Sequence, residues 1–267
     1  MEKIGLIAGS RKFPILFSQV AKKKNYKVIA IAVKDDASCQ LAKYVDRIYW
    51  LGLKDFSRIF EILHTEGINK IVMAGQINPR RLFNDEVGQD PILKGLFSEL
   101  KDRKAETIFK AICDKFEEQG VKVMDSITFL DDFLPKRGVL TKRAPSFSEW
   151  EDIYFGFELA KRCASLDIGQ AVAVKDKAVV AVEALEGTDA LIKRAGKITK
   201  GGAVVVKVSR PAQDLRFDIP VVGEKTVSTL IKTKACCLAI ESGKTLFIEQ
   251  EKSLKAADNN NLAIVAL

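Results

Sequence analysis

The chain has 267 residues, 47% apolar and 29% charged, with 43 Lys and Arg against 35 Asp and Glu, for a net charge of +8. This composition excludes a disordered or fibrous chain, and the length predicts two domains, each able to bury its own core. No apolar run approaches the about 18 residues of a membrane span, so the positive excess points to an anionic partner: nucleic acid, a phosphorylated small molecule or an acidic membrane surface.

In chain order, Lys3 to Ala8 reads as a strand, not an export signal, because Arg11-Lys12 soon interrupts it. Pro14 opens a helix to Lys24, and β-branched runs follow at Lys27 to Val33, Arg47 to Leu51 and Lys70 to Ala74. A helix over Asp55 to Glu66 carries Phe56, Ile59, Phe60 and Leu63 on one face. A longer helix, Lys101 to Gln119, carries Ile108, Ile112 and Phe116, and Gly120 ends it before a strand over Val121 to Met124. Strands alternating with helices predict a Rossmann-like parallel sheet over residues 1–133.

Between Asp131 and Ser148 no period is sustained, and residues 134–147 read as a linker. Ser148 then caps a helix to Ser165 with Trp150, Ile153, Phe157, Ala160 and Ala164 as its buried stripe. Strands are expected at Gln170 to Val174, Ala178 to Val182, Ala203 to Val208, Ala235 to Ile240, Thr245 to Ile248 and Leu262 to Ala266. Helices fall at Thr188 to Ala195, Glu224 to Lys232 and Glu251 to Ala257. The second domain, 148–267, is therefore also α/β, and the hairpin across Lys175-Asp176-Lys177 makes its sheet mixed.

The five cysteines are odd in number and lack CxxC spacing, which predicts reduced thiols in a cytoplasmic compartment. Vicinal Cys236-Cys237 reads as strand packing. His64, the single histidine, excludes His-rich dinuclear centres. Glu117-Glu118-Gln119-Gly120 imitates a Nudix ending, but Cys113-Asp114 replaces the Arg-Glu such a box needs, leaving a helix C-terminus.

Gly9-Ser10-Arg11-Lys12 joins the first strand to its helix, where backbone N–H groups and basic side chains suit a phosphate, or where a plain tight turn suffices. Asp35-Asp36 follows the second strand, where a dinucleotide fold places its ribose-binding acid, yet GxGxxG is absent. Gly75, Gln76 and Asn78 leave the fourth strand with amide edges for a base and Arg80 or Arg81 for a phosphate, or form an ordinary turn. In the second half, Asp167, Glu186, Asp189 and Asp218 stand at element boundaries; together they suit Mg2+, and singly they read as caps.

These stretches resemble the LpxI type of UDP-2,3-diacylglucosamine pyrophosphatase from the lipid A pathway of Gram-negative bacteria. The resemblance spans nearly the whole chain and rests on Gly5 to Pro14, Ala74 to Pro79, Leu166 to Gln170, Val182 to Asp189 and Asp218-Ile219-Pro220. It implies hydrolysis of the pyrophosphate to UMP and 2,3-diacylglucosamine 1-phosphate with Mg2+ or Mn2+, by a homodimer held peripherally at the inner membrane. The N-terminal domain would take the UDP end and the C-terminal domain the acylated sugar. Asp218 falls on the functional aspartate, as metal ligand or as the base orienting water. Asp167, Glu186 and Asp189 would be further metal ligands, and Gly9, Ser10, Arg11, Lys12, Gly75, Gln76, Asn78, Gln170 and Thr188 substrate contacts. The chain departs from the family at Ser10-Arg11, where more glycine is usual. The alternatives are an NAD(P)-dependent oxidoreductase, which gives Asp218 no role, and a nucleic-acid-binding protein, against which the cations are dispersed and lack an aromatic-basic signature.

Overall fold

The β-branched runs of the first half form β1 (Lys3–Ala8), β2 (Lys27–Val33), β3 (Arg47–Leu51) and β4 (Lys70–Ala74) in a computed structural model that describes residues 1–77, 81 and 85–267. With β5 (Lys122–Met124) they make a parallel sheet of order β3-β2-β1-β4-β5. The order reverses at β1, so the carboxyl ends of β1 and β4 form the switch point where open α/β sheets hold ligands.

Helices cover both faces, which is why the inner strands are apolar throughout. Helix α1 (Phe13–Lys23), with Pro14 in its first turn, packs against β1, β2 and β4. Helices α2 (Arg58–Glu66), α3 (Pro91–Glu99) and α4 (Ala105–Glu118) share a second core with Ile29, Ile31, Ile71 and Met73. The sequence reading lacks α3. The Asp90 carboxylate accepts the Ile92 and Leu93 N–H groups, each at 3.0 Å, and Pro91 needs no donor in the first turn.

The second half builds β6 (Gly138–Val139), α5 (Phe147–Ser165), β7 (Ala171–Lys175), β8 (Ala178–Val182), α6 (Thr188–Thr199) and β9 (Val204–Lys207). It continues through β10 (Val221–Val222), α7 (Glu224–Lys232), β11 (Cys237–Ile240), β12 (Leu246–Phe247), α8 (Gln250–Asn259) and β13 (Ala263–Ala266). The sheet runs β6-β13-β11-β9-β7-β8, with β9, β11 and β13 parallel and the β7–β8 hairpin antiparallel, the mixed sheet expected. The run at Thr245 to Ile248 contributes only β12, which pairs with β10 outside that sheet.

Helix α5 is capped by Ser146 rather than Ser148: Ser146 Oγ accepts the Glu149 N–H while Glu149 accepts the Ser146 N–H at 2.7 Å. Its buried face is Ile153, Gly156, Ala160 and Ala164, with Trp150 and Phe157 only half-buried at the margin. A Cβ on Gly156 would stand 2.8 Å from Val206 Cγ2, so glycine there lets the helix lie close on the sheet.

Two compact units result, the first comprising Met1–Leu130 with Asp214–Asp218 and the second Asp131–Gln213 with Ile219–Leu267. All five cysteines are free, and burial pushes the Cys113 and Cys236 thiols up to about 12, which favours their protonated form at neutral pH.

Candidate functional site

In the first unit the loops after β1 and β4 meet. Gly9 N–H donates to Ala74 O at 2.8 Å, and Ser10 donates to Gln76 O from its N–H at 2.8 Å and its Oγ at 2.7 Å. A Cβ on Gly9 would lie 2.7 Å from Gln76 O, and one on Gly75, whose φ is +88°, 2.5 Å from Ser10 O. Gly9, Ser10, Gly75 and Gln76 are thus brought together, and both glycines are required by backbone passing backbone. Ser10 supplies the hydroxyl of this bridge. Arg11, at φ +70°, and Lys12 are exposed where α1 begins. Asn78 and Arg80 lie outside the described residues. Arg81 pairs with Asp36 at 3.0 Å, both nearly buried, so the acid after β2 and the arginine after β4 answer each other.

Asp218 also belongs to this unit. Asp214 C=O accepts the N–H groups of Phe217 (3.3 Å) and Asp218 (3.0 Å), closing a tight turn. The Asp214 carboxylate is held below the usual range by hydrogen bonds from Arg216, which also reaches Glu117 on α4 at 2.8 Å. Buried Ser126, just beyond β5, pins the turn: its N–H donates to Leu215 O (2.7 Å), and its Oγ contacts Arg216 O (2.9 Å) and Met73 O (2.6 Å). Phe217 stacks on Phe109, with ring centroids 5.7 Å apart. Asp218 is half-buried at the end of this pinned turn. Ser126 was not anticipated, because nothing in Asp125-Ser126 as a sequence distinguishes it from a loop.

In the second unit the quoted motifs converge at one end of β7, β8 and β9. Gly169 fits against Glu183, whose carbonyl oxygen would be 2.1 Å from an added Cβ, and Gln170 O accepts the Val208 N–H at 2.9 Å. Thr188, first residue of α6, donates its hydroxyl to Glu183 Oε1 at 2.7 Å and accepts Lys207 Nζ at 2.7 Å. Lys207 is the basic residue that sequence reasoning missed, since it ends an unremarkable valine strand.

Of the four acids expected to hold a metal, the three in the second unit are each engaged by a cation. Glu186 pairs with Arg194 at 2.8 Å, Asp189 with Lys225 at 3.1 Å and Asp167 with Arg210 at 2.9 Å. Among the described residues no group of three or more His, Cys, Asp and Glu is placed to hold a metal ion. As arranged, these donors do not fit Mg2+ or Mn2+, and no catalytic step is assigned through them.

A further charged cluster lies at the carboxyl ends of β9 and β11. Glu241, 7% exposed, accepts Lys161 Nζ (2.6 Å), Lys244 Nζ (2.8 Å), and the N–H (2.9 Å) and Oγ (2.7 Å) of Ser209. Burial alone would raise this carboxyl; the four donors outweigh it and hold it at about 2.

The LpxI N-terminal domain matches residues 3–133 and the LpxI C-terminal domain residues 136–265. UDP-2,3-diacylglucosamine pyrophosphatase LpxI of Caulobacter vibrioides is 27% identical over 278 aligned residues, covering 100% of this chain and 98% of that protein. Among solved structures, glycinamide-RNase-transformylase T from Mycobacterium tuberculosis is 10% identical over 68% of this chain and 44% of its own, at a TM-score of 0.24. N5-carboxyaminoimidazole ribonucleotide synthetase from Thermotoga maritima is 16% identical over 70% and 43%, at 0.25. Likeness at those scores carries no argument. Both family domains match in order and almost end to end, and the chain belongs to the LpxI family.

Proposed function

We propose that this chain is a hydrolase that splits the pyrophosphate bond of UDP-2,3-diacylglucosamine into UMP and 2,3-diacylglucosamine 1-phosphate in lipid A synthesis. The observation that carries the reading is the end-to-end correspondence with a relative bearing that name. Water adds its oxygen to one phosphorus, the P–O bond of the anhydride breaks, and the bridging oxygen leaves on the other phosphate. Water must be held in line and must lose a proton. Asp218, immobilised by the Ser126-pinned turn, is the proposed group that orients the water and takes that proton. In the second unit, Lys207 beside Thr188 at the start of α6 is the proposed phosphate contact. A requirement for Mg2+ or Mn2+ is what the family resemblance implies and not what the paired Asp167, Glu186 and Asp189 supply as arranged, and chelation reads it.

The test is UMP release from UDP-2,3-diacylglucosamine by the purified chain with Mg2+ or Mn2+, before and after EDTA. A folded protein that releases no UMP would reject the function, and undiminished release in EDTA would reject the metal. Stabilisation by NAD(H) and not by UMP would favour the oxidoreductase alternative instead.

No helix among the described residues is long and apolar enough to cross a membrane. A basic face supports peripheral attachment. Lys193 and Lys197 on α6 and Lys200 just after it meet Lys232 and Lys234 at the end of α7, around a hollow floored by Gly196 and Thr233. Gly196 permits this approach, because an added Cβ would stand 2.5 Å from Thr233 Cβ. Ile198 projects beside the lysines, 62% exposed. At about 1 kcal/mol per lysine near an anionic surface, such a face binds acidic lipid and releases it in salt. The chain is expected to sediment with phosphatidylglycerol vesicles at low ionic strength; equal sedimentation by a K193E/K197E/K200E variant would reject this face.

A further inference from the structure

We infer that Glu183 is a positioning residue: it directs a hydrogen-bond chain through Thr188 that holds the Lys207 ammonium at the start of α6. The inference rests on the reading of Lys207 as a phosphate contact. It gives Thr188 a different task from the one the resemblance implies, as the acceptor that anchors Lys207 and not as a donor to substrate.

The chain runs one way. A threonine hydroxyl has one proton to give, and Thr188 gives it to Glu183 Oε1 at 2.7 Å. Its lone pairs then face Lys207 Nζ, which donates to it at 2.7 Å. Fixing one N–H of the ammonium orients the other two, and a compact charge on a flexible four-carbon stem gains direction from being held so. Gly187, at φ +81°, gives α6 no side-chain cap, and the ammonium stands where the positive end of that helix adds to its pull on an anion.

Glu183 is itself held by the sheet. It follows β8, its N–H donates to Ala171 O at 2.9 Å, and it is 8% exposed. Only one oxygen of its carboxylate is engaged; Oε2 is buried and meets no donor among the described residues. The other deeply buried acids differ. Glu66, Asp90, Asp152 and Glu241, buried at least as far, each have both oxygens engaged by side-chain or backbone donors. Those four anchor structure and nothing else is asked of them. A buried carboxylate left half-satisfied is costly to a fold, and Glu183 carries that cost at the one place where its engaged oxygen sets a cation at a helix start.

The effect of removing the carboxylate separates three roles. A mere negative charge near the anion would oppose binding, so its removal would tighten it. A packing element would act equally with or without Lys207. A positioning residue weakens binding when removed, and only while Lys207 is present.

The experiment is a mutant cycle on the whole chain, each variant checked for a cooperative thermal melt. Binding of inorganic pyrophosphate, measured calorimetrically, is expected to weaken about tenfold in Lys207→Met and by a similar factor in Glu183→Ala and Thr188→Val, the loss of one charge-assisted hydrogen bond. Glu183→Ala added to Lys207→Met should weaken it no further than Lys207→Met alone. Glu183→Gln, whose amide carbonyl still accepts the Thr188 hydroxyl, should keep most of the wild-type affinity. If Glu183→Ala does not fold, Thr188→Val, which cuts the chain without touching the carboxylate, completes the same cycle. Unchanged or tighter binding by Glu183→Ala or Thr188→Val, or a full further loss in the Lys207→Met background, would overturn the inference and leave Lys207 as the contact. Binding unmoved by Lys207→Met would overturn both. If the wild type releases no UMP, the function falls separately, and pyrophosphate binding still decides the role of Glu183.

Discussion

Replacing Asp218 by alanine is expected to cut UMP release by about 10^2 to 10^4-fold, the range for loss of a positioned general base, in a variant that still melts cooperatively. The turn keeps its own hydrogen bonds in such a variant, because Asp214 C=O, Ser126 and Arg216 hold it through the backbone and through Asp214. Asp218→Asn separates orientation from proton transfer. An amide keeps the shape and a hydrogen bond to water but takes no proton, so a base role predicts a loss close to that of alanine and no acid limb in the pH–rate profile. Ser126→Ala should loosen the turn and lower kcat more than it raises KM, as expected of a positioning residue. Wild-type turnover by Asp218→Ala would remove Asp218 from the chemistry.

The Glu241→Gln variant is expected to lose about 2–3 kcal/mol of stability at pH 7, since holding a glutamate at about 2 rather than 4.5 corresponds to about 3 kcal/mol. A carboxyl whose pKa is depressed by folding stabilises the protein above its unfolded value, and that stability is lost as pH falls through the folded one. The difference between wild type and variant in urea melts should therefore be full above pH 4.5, shrink below it and vanish near pH 2. A difference constant from pH 7 to pH 2 would show that packing, not charge, carries the effect. The variant should not be neutral, because Lys161, half-buried beside Ser209, keeps its charge after the partner is neutralised.

The parallel strands of the first half were legible because each is a short β-branched run between turn residues, and β1 to β4 fall on the expected residues. The start of α5 was less so. Ser146 and Ser148 each precede a glutamate by three residues, and what selects Ser146 is tertiary: Arg143 reaches across to bind Glu149 at 2.8 Å and to donate to Asn261 O. The buried stripe shifted by the same cause, since Gly156 admits the helix to Val206 and turns Trp150 and Phe157 to the margin. Of the candidate site, Gly9 with Gly75 and Gly169 with Glu183 were found as motif residues, but only geometry shows why glycine is needed there. The partners that fix Asp218, Thr188 and Asp167, namely Ser126, Lys207 and Arg210, come from sequence-distant segments with no local signature.

The turn from Asp214 to Asp218 gives the first unit a boundary that a gene cannot follow. A truncation or fusion ending at residue 133 would keep every strand of the parallel sheet. It would also strip Ser126 of two of its backbone acceptors, leave Phe109 without its stacking ring and carry no Asp218. The halves of such a protein cannot be exchanged one at a time between relatives: a graft of the N-terminal half inherits a socket, and the turn that fits it is encoded 80 residues downstream of Leu134. Selection on this enzyme should therefore couple the residues around Ser126 to those around Leu215, although they fall in different family domains.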